Sequence, residues 1–220
     1  MTDGTILIDK PANMTSFGVV ARVRRVLTEQ QGKKVKVGHT GTLDPFATGL
    51  MIIVVGKECK NAEHYSKLDK IYEATVRLGQ SSTTGDPEGE ITDGSDKVPT
   101  HDQVTAALKK YTGDIVQRPP IYSAIKINGE RAYKLARQGK TIEMPERRIT
   151  IHSLDLIDYT YPELRIRTHV SSGTYIRTLA EDIGQFLGTH AYCTQLRRTA
   201  IADWKIGDAQ TLEQFGVRNP

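Results

Sequence analysis

The 220-residue sequence lacks the marks of several protein classes. Its two cysteines, Cys59 and Cys193, lie far apart and outside any Cys-x-x-Cys pattern. That excludes a disulfide framework and suits a reducing compartment, so a cytoplasmic location is expected. Long apolar runs are missing too. The longest, Leu50 to Val55, falls far short of the roughly 20 residues a spanning helix needs, so no membrane partner is expected. The opening Met1-Thr-Asp-Gly-Thr-Ile-Leu-Ile-Asp9 has no basic start leading into an apolar stretch, and no signal peptide is visible. No repeat or low-complexity linker interrupts the chain.

Nucleotide and metal signatures are absent as well. Six residues separate Gly49 from Gly56-Lys57, where a P-loop has four between its glycines, and Glu58 stands where that loop needs Ser or Thr. Gly38 and Gly41 do not complete a Gly-x-Gly-x-x-Gly pattern. No His-Glu-x-x-His occurs among the scattered histidines, and neither Ser123 nor Ser172 sits in a nucleophile elbow. Only a metal site assembled from distant residues stays open.

What remains is an ordinary globular composition, 38% hydrophobic and 25% charged, which argues against disorder, collagen and coiled coil. A chain of this length can bury roughly 70% of its unfolded surface without disulfide staples. It suits one large domain or two small ones. Thirty Lys and Arg against 26 Asp and Glu leave +4, a weak argument for a polyanionic partner. The distribution says more. Acids gather at Asp86, Glu88, Glu90, Asp93 and Asp96. Bases gather from Arg22 to Lys36, from Arg131 to Arg148, and at Arg165, Arg167, Arg177, Arg197 and Arg198. Separated signs can give a basic, phosphate-attracting face, although solvated surface charge explains the same pattern.

Periodicity gives a mixed α+β chain. Strands are expected at Thr5–Ile8, Leu50–Val55, Ile71–Leu78, Ile121–Ile127 and Tyr192–Ile201, with a hairpin of 147–159 and 164–170 turning at Pro162. Phe17, Val20, Val23 and Leu27 predict a helix over Ser16–Thr28 capped by Thr15 or Ser16. Thr100 with Gln103 resembles a capping box opening a helix through Tyr111. Arg131–Gln138 reads as a short helix after an Asn128-Gly129 turn. Ile176, Leu179, Ala180, Ile183, Phe186 and Leu187 mark a last helix, ended by Gly188. Residues 79–99 read as an acidic loop.

One segment stands apart. Gly38-His39-Thr40-Gly41-Thr42-Leu43-Asp44-Pro45-Phe46-Ala47-Thr48-Gly49-Leu50 places one acid and one histidine among glycines, just before a buried strand. Glycines let a ligand approach backbone closely, and a rigid strand can hold a functional loop. A plain turn starting at Asp44-Pro45 remains the alternative on these residues alone.

This loop closely resembles the catalytic motif of the TruB family of tRNA pseudouridine synthases. Five further stretches, in the family's order, are similar to its other motifs: Leu7-Ile8-Asp9-Lys10-Pro11 with Met14-Thr15-Ser16; Lys70-Ile71-Tyr72-Glu73-Ala74; Pro120 to Lys126 with Asn128-Gly129 and Ala132-Tyr133; Ser172 to Ala180; and Leu196-Arg197-Arg198-Thr199. Asn13 replaces a usual Gly, a mild change because Asn tolerates left-handed backbone. Phe46 replaces a smaller aliphatic residue. Only some 16 residues follow Trp204, so the C-terminal PUA domain of many family members is not expected.

The resemblance implies a pseudouridine synthase fold over residues 1–220, an α+β domain with a mixed, mainly antiparallel central sheet flanked by helices and an RNA-gripping insertion at about 123–148. It implies isomerisation of uridine 55 in the T-arm of tRNA: the N1–C1′ bond breaks, the uracil turns, and C5 joins C1′. Nothing is oxidised or hydrolysed, so no cofactor and no metal is expected. A glycoside hydrolase needs two carboxylates. A uracil leaving group can carry its own charge, so one can suffice, and the resemblance makes Asp44 that carboxylate.

By the same resemblance Arg177 offsets the desolvation of Asp44. Tyr72 stacks on uracil or takes the C5 proton. His39, Lys10, Tyr175, Leu196, Arg131 and Tyr133 bind substrate. His39 would hold the rearranged loop, Lys10 order the neighbouring tyrosine motif, Leu196 wall the pocket, and Arg131 with Tyr133 grip looped RNA through phosphates and stacking. The uridine must be flipped out of its stack, at a cost of a few kcal/mol. The expected partner is tRNA, met by a monomer without a protein partner. An RNA-binding or tRNA-folding protein that has lost isomerase activity, and an isomerase acting on another RNA, are the alternatives.

Overall fold

The computed structural model describes residues 3–127 and 129–217. In chain order they form β1 (Gly4–Lys10), α1 (Ser16–Gln31), β2 (Val37–His39), β3 (Thr48–Val55), α2 (Ala62–Ser66), β4 (Lys70–Leu78), β5 (Gln80–Ser82) and β6 (Ile91–Asp93). There follow α3 (His101–Lys110), β7 (Gly113–Gln117), β8 (Lys126–Ile127), β9 (Glu130–Arg131), α4 (Ala132–Arg137), β10 (Arg147–Thr160) and β11 (Glu163–Val170). The chain closes with α5 (Ile176–Leu187), β12 (Ala191–Ile201), β13 (Trp204–Lys205) and β14 (Gln210–Thr211). No described helix is long and apolar enough to cross a membrane.

Two compact units emerge. One holds the residues through Tyr72 and those from Arg197 onward; the other is Glu73–Leu196. The divide falls inside β4 and inside β12.

In the first unit the strand order is β14-β1-β3-β12, with β1 antiparallel to β3 and parallel to β14, and β3 parallel to the end of β12. The apolar run Leu50–Val55 is buried on both faces of β3. Leu50, Ile52 and Val54 pack with Ile201, Tyr65 and Trp204. α1 starts at the predicted residue, with Thr15 as its cap, and ends at Gly32 in left-handed backbone. It buries Ser16, Val19, Val20, Val23 and Leu27, while Phe17 points to solvent.

In the second unit β4, β11, β10 and β7 lie side by side, with β10 antiparallel to both β11 and β7. α3 opens with the expected capping box, and α5 ends at Gly188 in left-handed backbone. Phe186 lies outside the buried face of α5, under the Lys110 ammonium at 4.4 Å.

Three stretches differ from the sequence reading. Residues 79–99 contain the short β5–β6 hairpin rather than loop alone. Gly113–Gln117 adds an edge strand whose five residues are too few to show a period. The strand expected at 121–127 shrinks to Lys126–Ile127, paired with Glu130–Arg131. Its carbonyls serve other partners: Tyr122 O accepts from Arg177, Ser123 O from Tyr133 N and Ile125 O from Ala132 N. Asn128 of the expected turn lies outside the described residues.

Candidate active-site loop

Residues 40–47, between β2 and β3, carry Asp44. Three buried polar side chains of the same unit fix this loop through its backbone. Ser16 Oγ donates to Leu43 O at 2.9 Å and accepts from Leu43 N at 2.8 Å, so one hydroxyl satisfies both backbone groups beside Asp44. Lys10, 0% exposed, donates to Pro11 O (2.8 Å), Met14 O (2.6 Å) and Pro45 O (3.1 Å). Arg198, 1% exposed, donates from Nε to Leu50 O (2.7 Å) and from Nη2 to Gly41 O (3.3 Å). A buried cation is tolerated only where acceptors replace its water; here Pro45 O and Gly41 O of the loop serve together with the carbonyls of Pro11, Met14 and Leu50 outside it. Thr40 extends the clamp through Ile52 O.

Gly49 closes the loop against β12. Its φ of +110° is costly for other residues, and a Cβ there would lie 2.7 Å from Arg198 N. Arg197, next along β12, holds Asp9 with two nitrogens, at 2.7 and 3.1 Å. These contacts leave the Asp44 carboxylate, partly buried, on backbone with few ways to move.

The first unit also holds His39 and Tyr72. His39 ends β2 opposite Ile53 of β3. Tyr72 is buried on β4, on the face it shares with Lys70. Lys70 donates to Ser66 O and Leu68 O, and burial, aided by the Arg198 charge, pulls its ammonium down to about 8.

The second unit carries Arg177, Tyr175, Leu196, Arg131 and Tyr133. Arg177, in the first turn of α5, is 3% exposed. Its guanidinium lies 3.3 Å from Asp86 and donates to Thr84 O (2.6 Å) and Tyr122 O (2.8 Å). Asp86 is held in turn by Thr84 Oγ1 and Glu88 N. Burial pushes the nearby Glu181 carboxyl up to about 7; the Arg177 charge opposes this, while Asp182 and Asp86 add to it. The buried Gln117 amide bridges Tyr175, accepting from its N at 2.8 Å and donating to its O at 3.0 Å, and so sets where α5 begins. Leu196 is buried. Arg131 is exposed and Tyr133 partly so, with Arg137 5.8 Å from the Tyr133 ring. His152 and His169, rings 4.6 Å apart on β10 and β11, offer donors of the type transition metals prefer.

Sequence reasoning missed Ser16, Gln117 and Asp86. Ser16 read as a cap, and its residue type gives no sign of a bond 27 residues away. Asp86 read as one acid of a solvated cluster. Gln117 carried no signal.

The family model described as TruB family pseudouridylate synthase (N terminal domain) matches residues 24–176. The one described as tRNA pseudouridylate synthase B C-terminal domain matches residues 177–217. A tRNA pseudouridine synthase B of Cupriavidus metallidurans is 45% identical over 98% of this chain and 68% of its own length. One from Burkholderia mallei is 44% identical over 96% of this chain and 68% of its own. Among solved structures, a chain of a Cbf5-Nop10-Gar1 complex superposes with a TM-score of 0.72 at 27% identity. The match covers 96% of this chain and 52% of that one, so the chain spans about half the solved relative's length.

Proposed function

The chain belongs to the TruB family of pseudouridylate synthases, and from that premise we infer that it converts a uridine of tRNA to pseudouridine. The observation that carries this reading is the Asp44 loop, tied down at Gly41, Leu43 and Pro45 by Arg198, Ser16 and Lys10. The substrate is uridine 55 in the T-arm. Asp44 is the catalytic carboxylate. Attack on C1′ and removal of a sugar proton both need it ionised and held still. A carboxylate presented within a few tenths of an ångström gains most from such a rigid support.

The reaction balances within the nucleotide. The N1–C1′ bond breaks, the uracil turns, C5 bonds to C1′ and gives up its hydrogen as a proton, and N1 takes one. Tyr72 supplies an aromatic face for the free uracil and a hydroxyl for proton removal at C5. Arg177 contributes a fixed positive charge that favours an ionised carboxylate. Lys10 and His39 hold the loop, and Leu196 and Tyr175 shape the base pocket. Arg131 and Tyr133, at the start of α4, take backbone phosphate and a stacked base of the looped RNA. The protein acts as a monomer in the cytoplasm without a protein partner.

An unmodified tRNA transcript tests this. After incubation, carbodiimide labelling and primer extension, one new stop in the T-loop is expected. A stop elsewhere would reassign the site. Bound tRNA with no stop would make the chain an RNA-binding protein instead.

A further inference from the structure

Phe17 is 64% exposed in the first turn of α1, where helical spacing would bury it. The inward position belongs to Ser16, whose hydroxyl holds Leu43 beside Asp44. The phenyl ring is thus one residue from a contact that is itself one residue from the carboxylate. Every other exposed large apolar side chain among the described residues lies in the second unit, so Phe17 is no part of an apolar patch within its own. Its neighbour is a cation. Arg24, two helical turns on along the same side, places its guanidinium 5.8 Å from the ring centroid. Arg24 also lines a cleft of about 320 Å³ with Lys34, Val35, Lys36 and Val37. Three cations and no acid line it. From Val37 the chain runs through β2 to His39 and the Asp44 loop.

We propose that Phe17, Arg24, Lys34 and Lys36 form a nucleotide subsite for the substrate RNA. The ring stacks on an unpaired base flanking the target uridine, and the three cations take adjacent backbone phosphates. This rests on the tRNA reading above. A lone aromatic ring beside cations with no acid lining the cleft, Arg24 donating to Val37 O at 3.3 Å, suits unpaired RNA, whose bases stack on aromatic faces while phosphates follow the charge. A protein partner would need a broader apolar surface than one ring.

The test compares wild type with Phe17→Ala, Phe17→Leu, Phe17→Tyr and Arg24→Ala on a T-arm stem-loop and on full tRNA. The exposed position leaves folding untouched, which thermal melts check. Phe17→Ala and Phe17→Leu should each raise Kd and KM about ten-fold with kcat within two-fold, since stacking strengthens ground-state and transition-state binding alike. Phe17→Tyr should bind as wild type. Arg24→Ala should lower the slope of log Kd against log salt by about one. Equal Kd for Phe17→Ala and wild type would overturn the subsite, and Phe17→Leu binding as wild type would overturn stacking. If wild type itself neither binds nor converts tRNA, the functional reading and the subsite fall together. If wild type converts it and Phe17→Ala does so equally well, the subsite alone falls.

Discussion

Lys10→Met separates a clamp from a surface charge. Methionine keeps the apolar stem and removes the ammonium that meets Pro11 O, Met14 O and Pro45 O. Each stranded, partly buried carbonyl costs about 1–3 kcal/mol. Relief comes from two sides: the charge no longer needs desolvating, and the loop can shift to admit water. A net loss of about 3–5 kcal/mol follows from these opposing effects. At roughly 2–4 °C per kcal/mol for a chain of this size, the melting midpoint should fall by about 10 °C. Pro45 follows Asp44, so the displaced loop should also carry the carboxylate out of line. Displacements near 1 Å cost up to about a hundred-fold in rate. Circular-dichroism melts, with turnover measured well below both midpoints, read the two effects. A midpoint within about 2 °C of wild type, with wild-type turnover, would refute the clamp.

Gly49→Ala should destabilise by about 3 kcal/mol or more in denaturant titration, because a Cβ at φ +110° meets Arg198 backbone and not a movable side chain. Gln117→Ala removes the side-chain acceptor of Tyr175 N and one of the two donors to Tyr175 O, which keeps Leu179 N at 3.1 Å, and should cost about 1–2 kcal/mol in the same assay. Glu181→Gln should act by pH. The folded pKa, about 7, exceeds the ordinary 4.5, so the folded state holds a proton that the unfolded state has released between those values. Wild-type stability is therefore eroded as pH rises from 4.5 to 7, and the substitution should raise the midpoint at pH 8 and do little at pH 4.5.

Where the sequence showed a period, it located structure well. The starts of α1, α3 and α5 each follow from a cap or an apolar spacing that needs no tertiary partner. The failures have a common cause. Phe17 and Phe186 fit a helical period yet lie outside the buried faces, because hydrophobicity alone does not say where a face ends. Residues 121–125 are apolar enough for a strand, but Arg177 and the start of α4 take their carbonyls. The candidate loop stood out through its resemblance to a family motif, since its residue types alone also suit a plain turn at Asp44-Pro45. Its support was not: the resemblance had Lys10 order the tyrosine motif and gave Arg198 no contact, and only the fold brings Pro45 O to the one and Gly41 O to the other.

The central claim is that the carboxylate of Asp44 drives the isomerisation. Its most direct test is tritium release from tRNA labelled at uracil C5, because C5 loses its hydrogen on bonding to C1′. Wild type should release one tritium per T-arm. Asp44→Asn keeps the size, removes the charge, and should bind tRNA and melt as wild type does. Its release should fall below roughly one-thousandth of the wild-type rate. Release by Asp44→Asn at a rate near wild type would contradict the account.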